Sequence, residues 1–155
     1  MEHHKAQQLD GRMHRLLREQ HRLMHQHFRE CGLFNGEPPM LFHIGECAGI
    51  TQRELAERMR ITPASVTVSI RRMEAEGLVR RVSDERDSRR LHLYLTEQGE
   101  MLNRRCLKAR DELIDLLYQE YGEEEYQQLQ ALFDKMEQRV QHAREVFLSK
   151  GDNSQ

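Results

Sequence analysis

Thr62-Pro63 is the stretch that most constrains what this chain can fold into. Threonine suits a helix N-cap, and proline suits the first helical position, where no N–H is needed. The dipeptide starts a helix only a few residues after an earlier one must end. Upstream, Thr51 and Glu54 have the spacing of a capping box, in which each side chain satisfies the other residue's backbone N–H. Leu55, Ala56 and Met59 give that first helix an apolar face, and Ile61 falls in the turn. Downstream, Gly77 suits a left-handed cap, with Leu78 placed to pack back over the helix end. The expectation is two short helices across a tight turn.

The second helix can be divided by its own periodicity, at about 100° per residue. Val66, Ser69, Ile70 and Met73 fall on the side that must face a core. Ala64, Thr67, Val68, Arg71, Arg72 and Ala75 fall on the other. That outer face is small near its N-terminus, so the helix backbone can approach a groove closely. It offers hydroxyl and guanidinium donors and one valine able to meet a thymine methyl. Taken alone, these residues fit a merely solvated helix equally well.

The segment after Gly77 shifts the balance. Val79, Arg81 and Ser83, then Leu91, Leu93 and Leu95, alternate with other residues at a period of two, which predicts a half-buried pair of strands. Between them lies a charged tip, with Arg86, Arg89 and Arg90 among Asp84, Glu85 and Asp87. A hairpin directly after a helix-turn-helix is a wing, and arginine on a wing fits a narrow minor groove, where the negative potential is strongest.

The stretch TPASVTVSIRRMEAEGLVRR resembles the recognition helix of the MarR family of bacterial winged-helix transcription regulators. Asp84-Glu85-Arg86-Asp87-Ser88-Arg89-Arg90 resembles that family's acidic-and-arginine wing, and Leu95-Thr96-Glu97-Gln98-Gly99 its opening of the next helix. The resemblance is specific in order and spacing over residues 51–99 and rests on helix layout elsewhere. It implies a mostly α fold with a small β-wing: a winged helix-turn-helix whose N- and C-terminal helices form a dimerisation domain.

The rest of the chain accommodates that layout. Residues 6–30 predict a long helix, with Leu9, Met13, Leu16, Leu17, Met24 and Phe28 near a 3.6 period, and Asn35-Gly36-Glu37-Pro38-Pro39 a turn. A short helix is expected from about Met40 to Ala48. After Thr96, a further N-cap, Leu102, Cys106, Ala109, Leu113, Leu116 and Leu117 make a coiled-coil-like seam. Gly122 breaks it, and a last helix carries Leu129, Leu132, Phe133, Met136, Val140, Ala143 and Phe147. These stripes have no partner within a small winged helix. They are read as a dimer interface, with a three-helix bundle inside one chain as the alternative. The expected organisation is an N-terminal dimerisation helix (1–30), a DNA-binding domain (38–95), C-terminal dimerisation helices (96–148) and a tail (149–155).

Charge agrees once it is split. The net formal charge is -2, but residues 51–95 hold 10 Lys/Arg against 7 Asp/Glu, whereas residues 96–148 hold 7 against 12. Positive charge thus gathers where DNA would be touched. No apolar run is long enough for a membrane span, no signal-peptide pattern opens the chain, and three scattered cysteines make no disulfide framework. A cytoplasmic protein is expected. No metalloprotease, P-loop, nucleophile-elbow or dinucleotide-binding motif is present, so an enzyme is not expected.

The function expected is sequence-specific regulation of transcription. A ligand-responsive repressor would bind a pseudo-palindromic operator in double-stranded DNA as a homodimer, with an adaptor that docks proteins instead as the alternative. Thr67, Val68, Arg71 and Arg72 are expected at base edges or nearby phosphates, and Thr51, Gln52 and Ser65 at phosphates. By the resemblance, Arg86 enters the minor groove with Arg89 and Arg90 beside it, and Asp84 orients it. The family's effector cleft would gather Met24, His25, Phe28, Cys31, Phe42, His43, Cys47 and Cys106. A small organic effector, a metal such as zinc with no resident cofactor otherwise, and oxidation at Cys31 all stay open.

Overall fold

The computed structural model describes residues 2–30, 37–84 and 90–152, and the side chains of residues 3–30, 38–84 and 90–148. Among the described residues, six helices and three short strands follow in order: α1 (Glu2–Glu30), α2 (Glu37–Glu46), β1 (Ile50–Thr51), α3 (Gln52–Met59), α4 (Pro63–Ala75), β2 (Val79–Ser83), β3 (Leu91–Leu95), α5 (Glu97–Tyr118) and α6 (Glu123–Asp152). The chain divides into two compact units, residues 1–115 and 116–155.

The helix-turn-helix forms through the caps its sequence carries. Thr51 N–H donates to Glu54 Oε2 at 2.8 Å, and Glu54 N–H donates back to Thr51 Oγ1 at 3.3 Å, closing the capping box. Such a cap stabilises a helix by about 1 kcal/mol. Arg60 ends α3 in the left-handed region at φ 53°, a conformation usually left to glycine or asparagine. Thr62 then caps α4 by accepting from Ser65 N–H at 3.2 Å, with Pro63 at the first helical position. At the far end Gly77 takes φ 72° and Leu78 N–H returns to the Met73 carbonyl at 2.8 Å, a turn that closes the helix with Leu78 buried.

The sheet has three strands, ordered β1-β3-β2 and antiparallel throughout. Sequence periodicity yields only the hairpin: β1 is two residues long, with Ile50 opposite Leu93 and Thr51 opposite His92, too short for alternation to register. It covers the edge of β3, while β2 pairs from Val79–Leu95 to Ser83–Leu91.

In the first unit the core is built where these elements meet. Leu41 and Ile44 of α2, Leu55 of α3, Val66, Ile70 and Met73 of α4, Leu93 of β3 and Cys106 of α5 are fully buried. Full burial of such an apolar side chain contributes about 1.5–3 kcal/mol. The core therefore clamps α4 against the sheet along Val66, Ile70 and Met73, and its opposite face is left to solvent.

Thr96 and Gly99 join α4 to α5. The Thr96 hydroxyl donates to the Gly77 carbonyl at 2.5 Å and accepts from Gly99 N–H at 3.0 Å. Gly99 is required because a Cβ there would overlap the Leu78 carbonyl. This is the physical content of the threonine–glycine opening in the sequence.

Candidate nucleic-acid interface

The outer face of α4 presents Ala64, Val68, Arg71, Arg72 and Ala75 to solvent. Val68 is 68% exposed, with no packing duty to explain a valine there. Arg72 pairs with Glu76 at 3.9 Å, one turn on. Thr67 is half-buried. Its single hydroxyl proton is shared between the Gln52 side-chain oxygen at 3.0 Å and the Pro63 carbonyl at 2.9 Å. Thr67 and Gln52 therefore lock α4 to the first turn of α3. Ser65 is likewise tied to its cap, its hydroxyl 2.8 Å from that of Thr62.

The wing is anchored to α4 by Arg81 of β2, whose guanidinium meets Glu74 at 2.8 Å, with both side chains partly buried. Among the tip arginines, Arg90 is described and exposed, whereas Arg86 and Arg89 lie outside the described residues. Asp84 accepts a hydrogen bond from the His92 ring at 3.0 Å, and the other ring nitrogen lies 2.6 Å from the Gly49 carbonyl. Sequence reasoning missed both Arg81–Glu74 and His92. A histidine on the strand that returns from an acidic tip was the available signal.

Between α3 and the wing base runs an open groove of about 690 Å³, lined by Thr51, Gln52, Arg53, Glu54, Glu57, Arg81, Arg90, Leu91 and His92. The capping hydrogen bond from the Thr51 backbone, then that from its hydroxyl, holds the Glu54 carboxyl below its usual pKa. That carboxylate is consequently committed to the helix start.

Five of the residues expected at an effector cleft meet where α1, α2 and α5 pack. Phe28 and Cys106 belong to the core, and Met24, Phe42 and Cys47 pack against it. The rings of Phe28 and Phe42 are 6.4 Å apart, and the Arg110 guanidinium stacks 5.1 Å from the Phe42 ring. His43 sits 3.7 Å from Glu46 on the same helix, and Cys31 falls outside the described residues. His25 instead faces His21, their Nε2 atoms 2.9 Å apart. Sequence reasoning also missed that His21 and His25 form an H-x-x-x-H spacing. Two donors alone do not make a closed site, and among the described residues no group of three or more His, Cys, Asp or Glu is arranged to hold a metal ion.

Known proteins share this arrangement. A sequence profile of the MarR family matches residues 36–90. The homoprotocatechuate degradative operon repressor of Escherichia coli is 32% identical over 139 residues, spanning 88% of this chain and 78% of the repressor. Among solved structures, a MarR family protein from Bacillus stearothermophilus superposes with a TM-score of 0.77 at 20% identity, covering 91% of this chain and 99% of its own. The S. aureus MepR–DNA complex superposes with a TM-score of 0.70 at 24% identity, covering 83% and 93%. By its winged helix-turn-helix and its likeness in sequence across both the DNA-binding region and the flanking helices, this chain belongs to the MarR family of transcription regulators.

Proposed function

We propose that the protein is a repressor that binds a pseudo-palindromic operator as a homodimer and is released by a small organic effector. The observation that carries the DNA-reading part is the outer face of α4. Its inner face is clamped by Val66, Ile70 and Met73, both ends are capped, and Val68 and Arg71 stand exposed on the side turned away from the core. A rigid helix with small residues at its entry and donors beyond is what a major groove admits.

In this reading Val68 and Arg71 meet base edges, with Arg72 at a base edge or adjacent phosphate. Thr67 and Gln52 set the angle between α3 and α4, and the Gln52 amide NH2 serves a phosphate together with Thr51 and Ser65 at the helix starts. Arg86 serves the minor groove from the wing and Asp84 orients it, with Arg89 and Arg90 as further wing contacts to DNA.

Dimerisation is supported by exposed apolar surface on each of the two units. In the first unit Leu9, Leu16 and Leu17 of α1 are exposed; in the second, Leu132, Phe133, Val140 and Phe147 of α6 are exposed. Stripes of this length are covered by a partner in stable proteins. A two-fold dimer would set two α4 helices about 34 Å apart, one turn of DNA. The role of repressor takes its support from the E. coli relative, which is named for repressing a degradative operon. The Met24, Phe28, Phe42, Cys47 and Cys106 cluster, apolar and beside the flanking helices, supports an organic effector.

The test is DNase footprinting on the DNA upstream of the protein's own gene. Protection of two half-sites one helical turn apart is expected. Equal weak binding to this DNA and to a scrambled duplex would favour a protein-docking adaptor.

A further inference from the structure

His92 occupies the middle strand of the sheet, opposite Thr51 on one side and Val82 on the other. Its ring bridges two places far apart in the chain. One nitrogen lies 2.6 Å from the carbonyl of Gly49, immediately ahead of β1. The other lies 3.0 Å from the carboxylate of Asp84, where the chain leaves β2 for the wing tip. Both partners are acceptors only. A neutral imidazole has one N–H and can serve one of them, whereas the imidazolium has two and can serve both.

We infer that His92, held as a doubly hydrogen-bonded imidazolium, is the positioning residue that fixes the base of the wing, and that losing its proton weakens the wing's grip on DNA. The DNA part of this inference rests on the proposed regulator function; the wing-positioning part does not.

The surroundings favour the charged ring. Asp84 contacts it from the end of β2, and Glu54 faces it from α3. Arg81 of β2, Arg90 ahead of β3 and Arg53 of α3 line the same groove and oppose it, with Glu57 adding negative charge. The hydrogen bond to the Gly49 carbonyl, then that to Asp84, raises the ring's pKa above the usual histidine value, against the cost of desolvation. A proton held more tightly in the folded state contributes stability that is complete below about pH 6.5. That contribution is lost as pH rises through the higher folded value. Asp84 N–H also donates to the Arg90 carbonyl at 2.9 Å, so the carboxylate that His92 holds belongs to the residue pair closing the wing.

The mechanism is therefore local. With the proton present, the wing base is tied across the middle strand to the start of β1. Without it, one of the two bonds is lost, and the tie between the end of β2 and the start of β1 through the middle strand is weakened.

Two measurements on the full chain separate the parts. The first is an NMR titration of the His92 ring between pH 5.5 and 9, with amide exchange at Asp84 compared at one fixed pH between wild type and His92→Gln. The expected result is a ring that titrates above the ordinary histidine range, and an Asp84 amide that exchanges several-fold faster in the variant. A ring that titrates at or below the ordinary value, or an Asp84 amide unchanged in H92Q, overturns the positioning role whether or not DNA is bound.

The second is operator affinity against pH. Wild-type Kd is expected to rise about three- to tenfold from pH 6 to pH 8.5, the net size of one ordinary intramolecular hydrogen bond lost. H92Q should bind weakly across the range and keep only the shallow slope of the other histidines. Parallel wild-type and H92Q curves would overturn the coupling to DNA. Asp84→Asn leaves an acceptor but no charge, and guards against a folding defect in H92Q. In D84N the ring should titrate lower and the affinity loss should move to lower pH, and an unmoved curve would also count against the coupling. If no DNA is bound at all, the regulator reading fails and the NMR result still decides the positioning role.

Discussion

At the scale of single residues, the molecule depends on a few atoms that join one element to the next. Gly99 lets the start of α5 touch the Leu78 carbonyl, and Thr96 bonds both sides of that contact. Gly99→Ala is expected to cost more than about 3 kcal/mol, because backbone must move and not merely a side chain. Gly11→Ala, within α1 where a Cβ meets only the end of the Arg15 side chain at 3.6 Å, should instead stabilise by about 0.5–1 kcal/mol. Chemical denaturation of the two variants checks the contrast. Glu54 makes a pH prediction of opposite sign to His92. Its pKa is lowered in the folded state, so its contribution is complete above the ordinary carboxylate value and is lost as pH falls through the lower folded one. Glu54→Gln should flatten the acid limb of stability between about pH 5 and pH 3 relative to wild type, and matched curves would show that the capping box does not carry that loss.

At the scale of elements, α4 has two faces with separate duties. Ile70→Ala opens the core and should cost about 2–5 kcal/mol, whereas Val68→Ser should change stability by less than about 0.5 kcal/mol while altering base preference. Thermal melts and a base-substitution binding series distinguish them. This division was legible in the sequence, because a 3.6 period sorts Val66, Ile70 and Met73 from Val68 and Arg71 without any knowledge of partners. The caps at Thr51, Thr62 and Gly77 were legible for the same reason: they act over three or four residues. What could not be read depends on contacts distant in the chain. Thr67 sits on the outer side by periodicity, yet Gln52, fifteen positions earlier, draws its hydroxyl into the joint between helices. β1 is too short to announce itself and exists because β3 offers an edge. His92 looks like an ordinary strand residue until Gly49, 43 positions away, comes within hydrogen-bond reach.

At the scale of the whole molecule, the terminal helices carry exposed apolar stripes, one on each compact unit. Leu16→Glu and Phe133→Glu each place a charge on such a stripe, at positions 68% and 52% exposed in the single chain. An exposed charge is solvated where the stripe is free, so circular dichroism of the full-length variants should change little. Sedimentation velocity should nevertheless show loss of dimer, and a dimer unaffected by both would assign these faces another partner. Dimerisation matters to function because one recognition helix reads too few base pairs to be selective, and two readings held at a fixed spacing multiply. Base readout is proposed for the outer face of α4, and comparing wild type with Arg71→Ala tests it. Both would be titrated against the operator and against single-base variants of each half-site, at fixed salt and with thermal stability checked. Arg71→Ala is expected to bind about ten- to a hundredfold more weakly and to lose preference at one base pair per half-site, with an unchanged melt. Unchanged affinity and unchanged preference in a folded variant would contradict the claim.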